Sequence, residues 1–164
     1  MLEQIAAYRA AFLAAGDSMD GSGPLRRMED PAEWVVLCRE AEHRQTVPAG
    51  WVPSEQFVFL RERDRAIVGA IQFRHEFNDF LREFGGNIGY SVHPDERRKG
   101  YAKRMLAECL KVCKAFGLDR VLITCRVENE ASRRTILSSG GIYDKTVYCA
   151  RDDVTLERYW IPLT

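Results

Sequence analysis

The chain has 164 residues, 46% hydrophobic and 29% charged, enough for one complete hydrophobic core and short for two. Its 24 lysines and arginines are balanced by 24 aspartates and glutamates, so no global field marks nucleic acid or an acidic membrane as a partner, and any anion site must be local. The five cysteines, at 38, 109, 113, 125 and 149, are an odd number without a CxxC pair, which suits reduced thiols in the cytoplasm; no clustered histidine or cysteine completes a metal set.

The opening "MLEQIAAYRAAFLAAGD" is alanine-rich but broken by Glu3 and Arg9, too short in apolar length to cross a bilayer, and reads as a first helix ending near Gly16. "GDSMDGSGPL" is a loop by composition. A second helix follows, with Asp30 as N-cap, Pro31 at its first position, and Trp34, Leu37, Cys38 and Ala41 on one face. "QFVFLRERDRAIVGAIQFRHE" gives two β-rich runs around "RERDR", an antiparallel hairpin. "HEFNDFLREFGG" is a crossing loop or one short helix, and "GGNIGYSVHP" is a strand stopped by Pro94.

Three consecutive cations, Arg97, Arg98 and Lys99, then precede Gly100 and the clearest helix of the chain. Ala102, Met105, Leu106, Cys109, Leu110 and Cys113 are spaced for one buried face until Gly117. "LDRVLITCRV" is the apolar run of a strand covered on both faces, "NEASRRTILSSGG" a helix with Asn129 as N-cap, and the remainder two strands around "ARDD". A helix start exposes unpaired N–H groups and the positive end of its dipole, so cations placed there are unfavourable unless an anion compensates them. The turn therefore reads as an anion site, with Gly100 allowing close approach of a phosphate.

The order and spacing sharpen that reading. Arg97, two residues, Gly100, one residue, Ala102 resembles the acetyl-CoA-binding motif of the GNAT superfamily of N-acetyltransferases. The resemblance spans roughly residues 55 to 162, with residues 1 to 54 supplying two N-terminal helices and a loop, all within a single domain over 1–164. It implies an α/β (α+β) fold with a mixed, splayed central sheet flanked by helices, and transfer of an acetyl group from acetyl-CoA to a primary amine by direct attack, without a metal.

The pantetheine arm would lie between "NIGYSV" and "VLITCRV", and the pyrophosphate on the backbone N–H groups of Arg98, Lys99, Gly100, Tyr101, Ala102 and Lys103. Asn129 would meet the pantetheine or its neighbouring loop, and the N–H near Val92 would polarise the carbonyl. Where many members carry a tyrosine that protonates the departing thiolate, this chain has Ile136, leaving Tyr143, Tyr148 and Tyr159 as candidate acids. Glu76, with His75 and Asp79 beside it, is the candidate base; a surface ion pair is its alternative role. The implied acceptor is a small molecule or a peptide, homodimer formation is left open, and a non-catalytic CoA-binding sensor or scaffold is the alternative function. A phosphate-loop nucleotide binder fits least, for the chain has neither GxxxxGK[ST] nor a strand-linked GxGxxG.

Overall fold

The computed structural model describes residues 1–164. Six strands and four α-helices follow in the expected order: α1 (Leu2–Ala15), α2 (Pro31–Ala41), β1 (Ser54–Leu60), β2 (Ile67–Arg74), β3 (Ile88–Val92), α3 (Tyr101–Phe116), β4 (Arg120–Arg126), α4 (Glu130–Ser138), β5 (Ile142–Cys149) and β6 (Val154–Pro162). The helix boundaries follow local chemistry. Gly16 and Gly117 end α1 and α3 in the left-handed conformation, while Asp30 and Asn129 cap α2 and α4 by accepting the N–H groups of Ala32 and Ser132. The "FNDFLREFGG" segment resolves as one wide helical turn, Leu81–Gly85.

The strands form two three-stranded antiparallel sheets, β1-β2-β3 and β4-β6-β5. β2 reads "IVGAIQFR" because it is covered on both faces. Ile71 and Phe73 join the main core with Ile88, Met105, Leu106, Cys109, Cys113, Val121, Ile123 and Ile136, whereas Ile67 and Ala70 pack under α1 and α2 with Ile5, Tyr8, Phe12 and Trp34. The expected face of α3 is the one buried, Met105, Leu106, Cys109 and Cys113 being at most 2% exposed. Each such side chain contributes roughly 1.5–3 kcal/mol of burial.

The two sheets meet at one point, through Asn87. Its backbone N–H donates to Leu122 O (2.7 Å), its Oδ1 accepts the Leu122 N–H (2.8 Å), and its Nδ2 donates to Arg74 O (3.2 Å). Gly86 makes this approach possible: it sits at φ 67°, and a Cβ there would come within 2.4 Å of Leu122 O. Beyond this staple β3 and β4 share no ladder, so the sheets splay apart.

Candidate active site

Alternation along an antiparallel strand decides what faces the splay. His93 N–H donates to Val68 O and Arg74 N–H to Asn87 O, so the odd-numbered residues of β3 bond to β2. Ile88, Tyr90 and Val92 therefore turn their N–H and C=O groups toward β4. On the other side Leu122 is bonded to Asn87, so Thr124 and Arg126 turn their backbone groups toward β3. Val92 O accepts from Arg97 Nε and Arg126 O from the Asn129 N–H, and the other groups along these two strand edges are unpaired across the opening, a fit for an extended chain bearing amides.

At the mouth of this opening stands the start of α3. Its N-cap, Gly100, lies at φ 80° with nothing within 4 Å of where a Cβ would be; no side chain caps the helix and no acid lies in its first turn. The contrast with α2 and α4, both capped by side chains, is direct. Arg98 also takes a left-handed conformation, φ 62°, which shapes the turn before the helix. The N–H groups of Tyr101, Ala102 and Lys103 precede the first intrahelical bond, from Arg104 to Gly100 O, and are free to meet an anion.

Two of the three consecutive cations are engaged elsewhere. Arg97 pairs with Asp17 at 2.8 Å, donates through Nε to Val92 O at 3.4 Å, and lies over the Phe12 ring; Lys99 pairs with Glu96 at 2.7 Å, and Glu96 in turn binds Arg61. Arg98, Lys103 and Arg104 have no carboxylate partner. Asn129 stands at the start of α4, its Oδ1 spent on the cap and its Nδ2 free.

The structure does not bring Glu76 and His75 to this opening. β2 runs antiparallel to β3, with Gly69 facing Val92, so Arg74 lies roughly 17 Å along the strand from the open end. Glu76 follows it beyond the stapled end and pairs with Arg44. His75 stacks on Phe116 at the last turn of α3, and both residues line an open depression of about 310 Å³ with Glu42, His43 and Arg44. Tyr148 is likewise apart: β5 is the outer strand, separated from the opening by β6 and β4, and the Tyr148 phenol donates to Asp153 at 2.7 Å. Tyr143 bonds Thr146 on the same strand, and Tyr159 bonds Glu157. Ile136 is 0% exposed, a core residue.

Two residues that bear on the opening had a weaker sequence signal. Asn87 is an ordinary strand-preceding polar residue in "GGNIGYSV", and only its contacts show it to be the staple. Tyr90 shares the apolar period-two face of Ile88 and Val92, and its phenol lies 2.8 Å from Ser132 Oγ.

The resemblance of the motif now meets independent comparisons. A family model described as the acetyltransferase (GNAT) family matches residues 26–140. The chain belongs to the GNAT acetyltransferase family. Solved GNAT structures share its fold at low identity. An acetyltransferase of this family from Bordetella pertussis superposes with a TM-score of 0.68 at 14% identity, over 98% of this chain and 89% of that one. A mutant of the spermidine N-acetyltransferase SpeG from Vibrio cholerae gives a TM-score of 0.59 at 15% identity, over 83% and 77%. The NatC complex bound to Gag peptide and CoA gives 0.55 at 16%, over 66% and 71%. No curated protein matches. No helix is long and apolar enough to cross a membrane.

Proposed function

We propose that this GNAT chain transfers an acetyl group from acetyl-CoA to a primary amine of a small-molecule or peptide acceptor, by direct attack of the amine on the thioester. The observation that carries this reading is the juxtaposition of an uncapped, acid-free helix start with two unpaired strand edges. The first suits a diphosphate through the N–H groups of Tyr101, Ala102 and Lys103, with Arg98 beside them; the second suits the amides of the pantetheine arm. Asn129 Nδ2 is a free side-chain donor at the start of α4. The Val92 and Tyr90 N–H groups, pointing into the opening, are the donors for the thioester carbonyl, where charge develops during attack. Catalysis then rests on placement and on these dipoles.

The acceptor would arrive from the side of the loop between α1 and α2, which is pinned to the first sheet by Gln56 Nε2 donating to Gly21 O at 2.8 Å. All five cysteines are free and four of them are buried, which fits a reducing cytoplasmic setting and a transfer without an acyl-cysteine. A second reading, a CoA-binding sensor, is favoured by one observation, the core isoleucine at position 136. Two measurements separate them. Titration calorimetry with CoA should give saturable binding, and thiol release from acetyl-CoA with a panel of primary amines, spermidine and peptide N-termini among them, should give turnover with at least one. Binding without turnover would leave the sensor reading, and absence of CoA binding would sink both.

A further inference from the structure

The departing sulfur has no side-chain partner in this reading, because the helix position for a tyrosine acid holds the buried Ile136. Tyr90 brings a phenol to the same helix from the opposite side. Its backbone is the middle of the unpaired β3 edge, and its side chain leaves with those of Ile88 and Val92 toward α3 and α4. Its Oη lies 2.8 Å from Ser132 Oγ and 3.5 Å from Ser132 O, in the first turn of α4. The phenol therefore crosses the interval between β3 and the helix that follows β4, the interval that opens beyond the Asn87–Leu122 staple. A thioester whose arm runs along the β3 edge from the α3 start must stop before that staple, beside the Tyr90 amide and phenol.

We infer that Tyr90 is a catalytic residue of the transfer: its phenol donates a hydrogen bond to the CoA sulfur as the carbon–sulfur bond breaks, so that the sulfur leaves as a stabilised thiolate. The inference rests on the acetyl-transfer reading. The amine nitrogen forms the new bond to the acyl carbon, the electron pair of the broken bond goes to sulfur, and the proton shed by the ammonium goes to water, so charge and atoms balance. The phenol keeps its proton throughout. Burial pushes Tyr90 up to about 12, against the lowering effect of its Ser132 hydrogen bond, whereas an ordinary thiol titrates near about 8.5. Full proton transfer from such a phenol to a thiolate is uphill; donation of a hydrogen bond is not. The other ionisable groups acting on the phenol are the Cys125 thiol of β4 and the Asp20 carboxylate of the α1–α2 loop, and both favour its protonated form. Ser132 is the resting partner of the phenol, satisfying it until sulfur takes its place.

A hydrogen bond to the thiolate must lower the pKa of bound CoA, and this can be read without knowing the acceptor. Calorimetric affinities of CoA and of desulfo-CoA, measured from pH 6 to 10, give the ratio that isolates the sulfur. In the wild type the ratio should rise about tenfold or more across the thiol titration, one pH unit of pKa shift being a factor of ten. In Tyr90→Phe it should stay flat while desulfo-CoA affinity is unchanged. Ser132→Ala keeps the phenol and frees it from its competing partner, so the rise should grow beyond that of the wild type; this variant decides the matter if Tyr90→Phe does not fold. An equal rise in wild type and Tyr90→Phe, no rise in the wild type, or a rise in Ser132→Ala no greater than that of the wild type would each overturn the role of Tyr90. Failure of the wild type to bind either CoA or desulfo-CoA is a different result and overturns the acetyl-transfer reading itself.

Discussion

At residue 100 the backbone does two things that a side chain would prevent or disturb. Its left-handed conformation lets the chain enter α3, and the open space above it leaves the first N–H groups accessible, as the proposed phosphate contact requires. Gly100→Asp isolates the second role, because aspartate tolerates the left-handed conformation better than most residues. Its carboxylate would cap the helix and occupy the anion position. The variant should stay folded, with a melting temperature lowered by a few degrees because a side chain at φ 80° is strained, and lose CoA affinity by on the order of 100-fold, the scale of one or two charge-assisted hydrogen bonds. Undiminished affinity in calorimetry would remove the turn from the site. Arg97→Ala should behave differently, for Arg97 already serves Asp17 and Val92. Its effect on CoA affinity should remain within about fivefold, the worth of a part-exposed charge.

Among the elements, the junction of β3 with β4 governs the opening. Asn87 is 4% exposed and occupies both sides of the junction, so Asn87→Ala leaves the buried Leu122 N–H and one bond to Arg74 O unmet. We expect a loss of about 2–4 kcal/mol, or roughly 4–16 °C in melting temperature for a chain of this size. CoA affinity should fall as well, since the two edges would no longer be held at a fixed separation; a variant that melts lower yet binds CoA as the wild type does would show that the staple supports the fold alone. This junction also marks the limit of what the sequence discloses. Asp30, Asn129, Gly16 and Gly117 announce their helix ends because a cap is a local event, and the run from Arg97 to Ala102 announces the start of α3 for the same reason. Which end of β2 lies near the thioester is a long-range fact. "RHEFND" follows β2, the neighbour of the strand that leads into the motif, but antiparallel pairing carries Glu76 to the stapled end and to Arg44. Tyr90 was hidden by the opposite ambiguity, since an aromatic at an apolar period-two position reads as core until its hydroxyl is seen to reach Ser132.

The molecule as a whole holds several weak acids in their neutral forms, and this sets its behaviour at high pH. Burial pushes the Cys38 thiol up to about 12 and the Cys125 thiol to about 11, and does the same to the phenols of Tyr8 and Tyr90, each reaching about 12. All four folded-state values lie above those of an unfolded chain, about 8.5 for a thiol and 10 for a phenol. A group with a raised folded pKa contributes stability that is fully present below its unfolded pKa and lost as pH rises through the folded one, because the unfolded chain gives up the proton first. Stability should therefore fall from about pH 8.5 as the thiols respond, and more steeply between about 10 and 12 as the phenols follow. Lysine pairs such as Lys99–Glu96 weaken over the same range, so the slope of the wild type alone does not identify its source. Tyr8→Phe does. Tyr8 is 2% exposed and its hydroxyl bonds Ser91, so at pH 7 the variant should lose about 1 kcal/mol for that hydrogen bond. From pH 10 upward its stability should fall less steeply than that of the wild type, and the two denaturation curves, recorded with a reductant present, should converge or cross below pH 12. Parallel curves would mean that the Tyr8 phenol ionises as readily in the fold as out of it, and would detach the alkaline limit from this contact between α1 and β3.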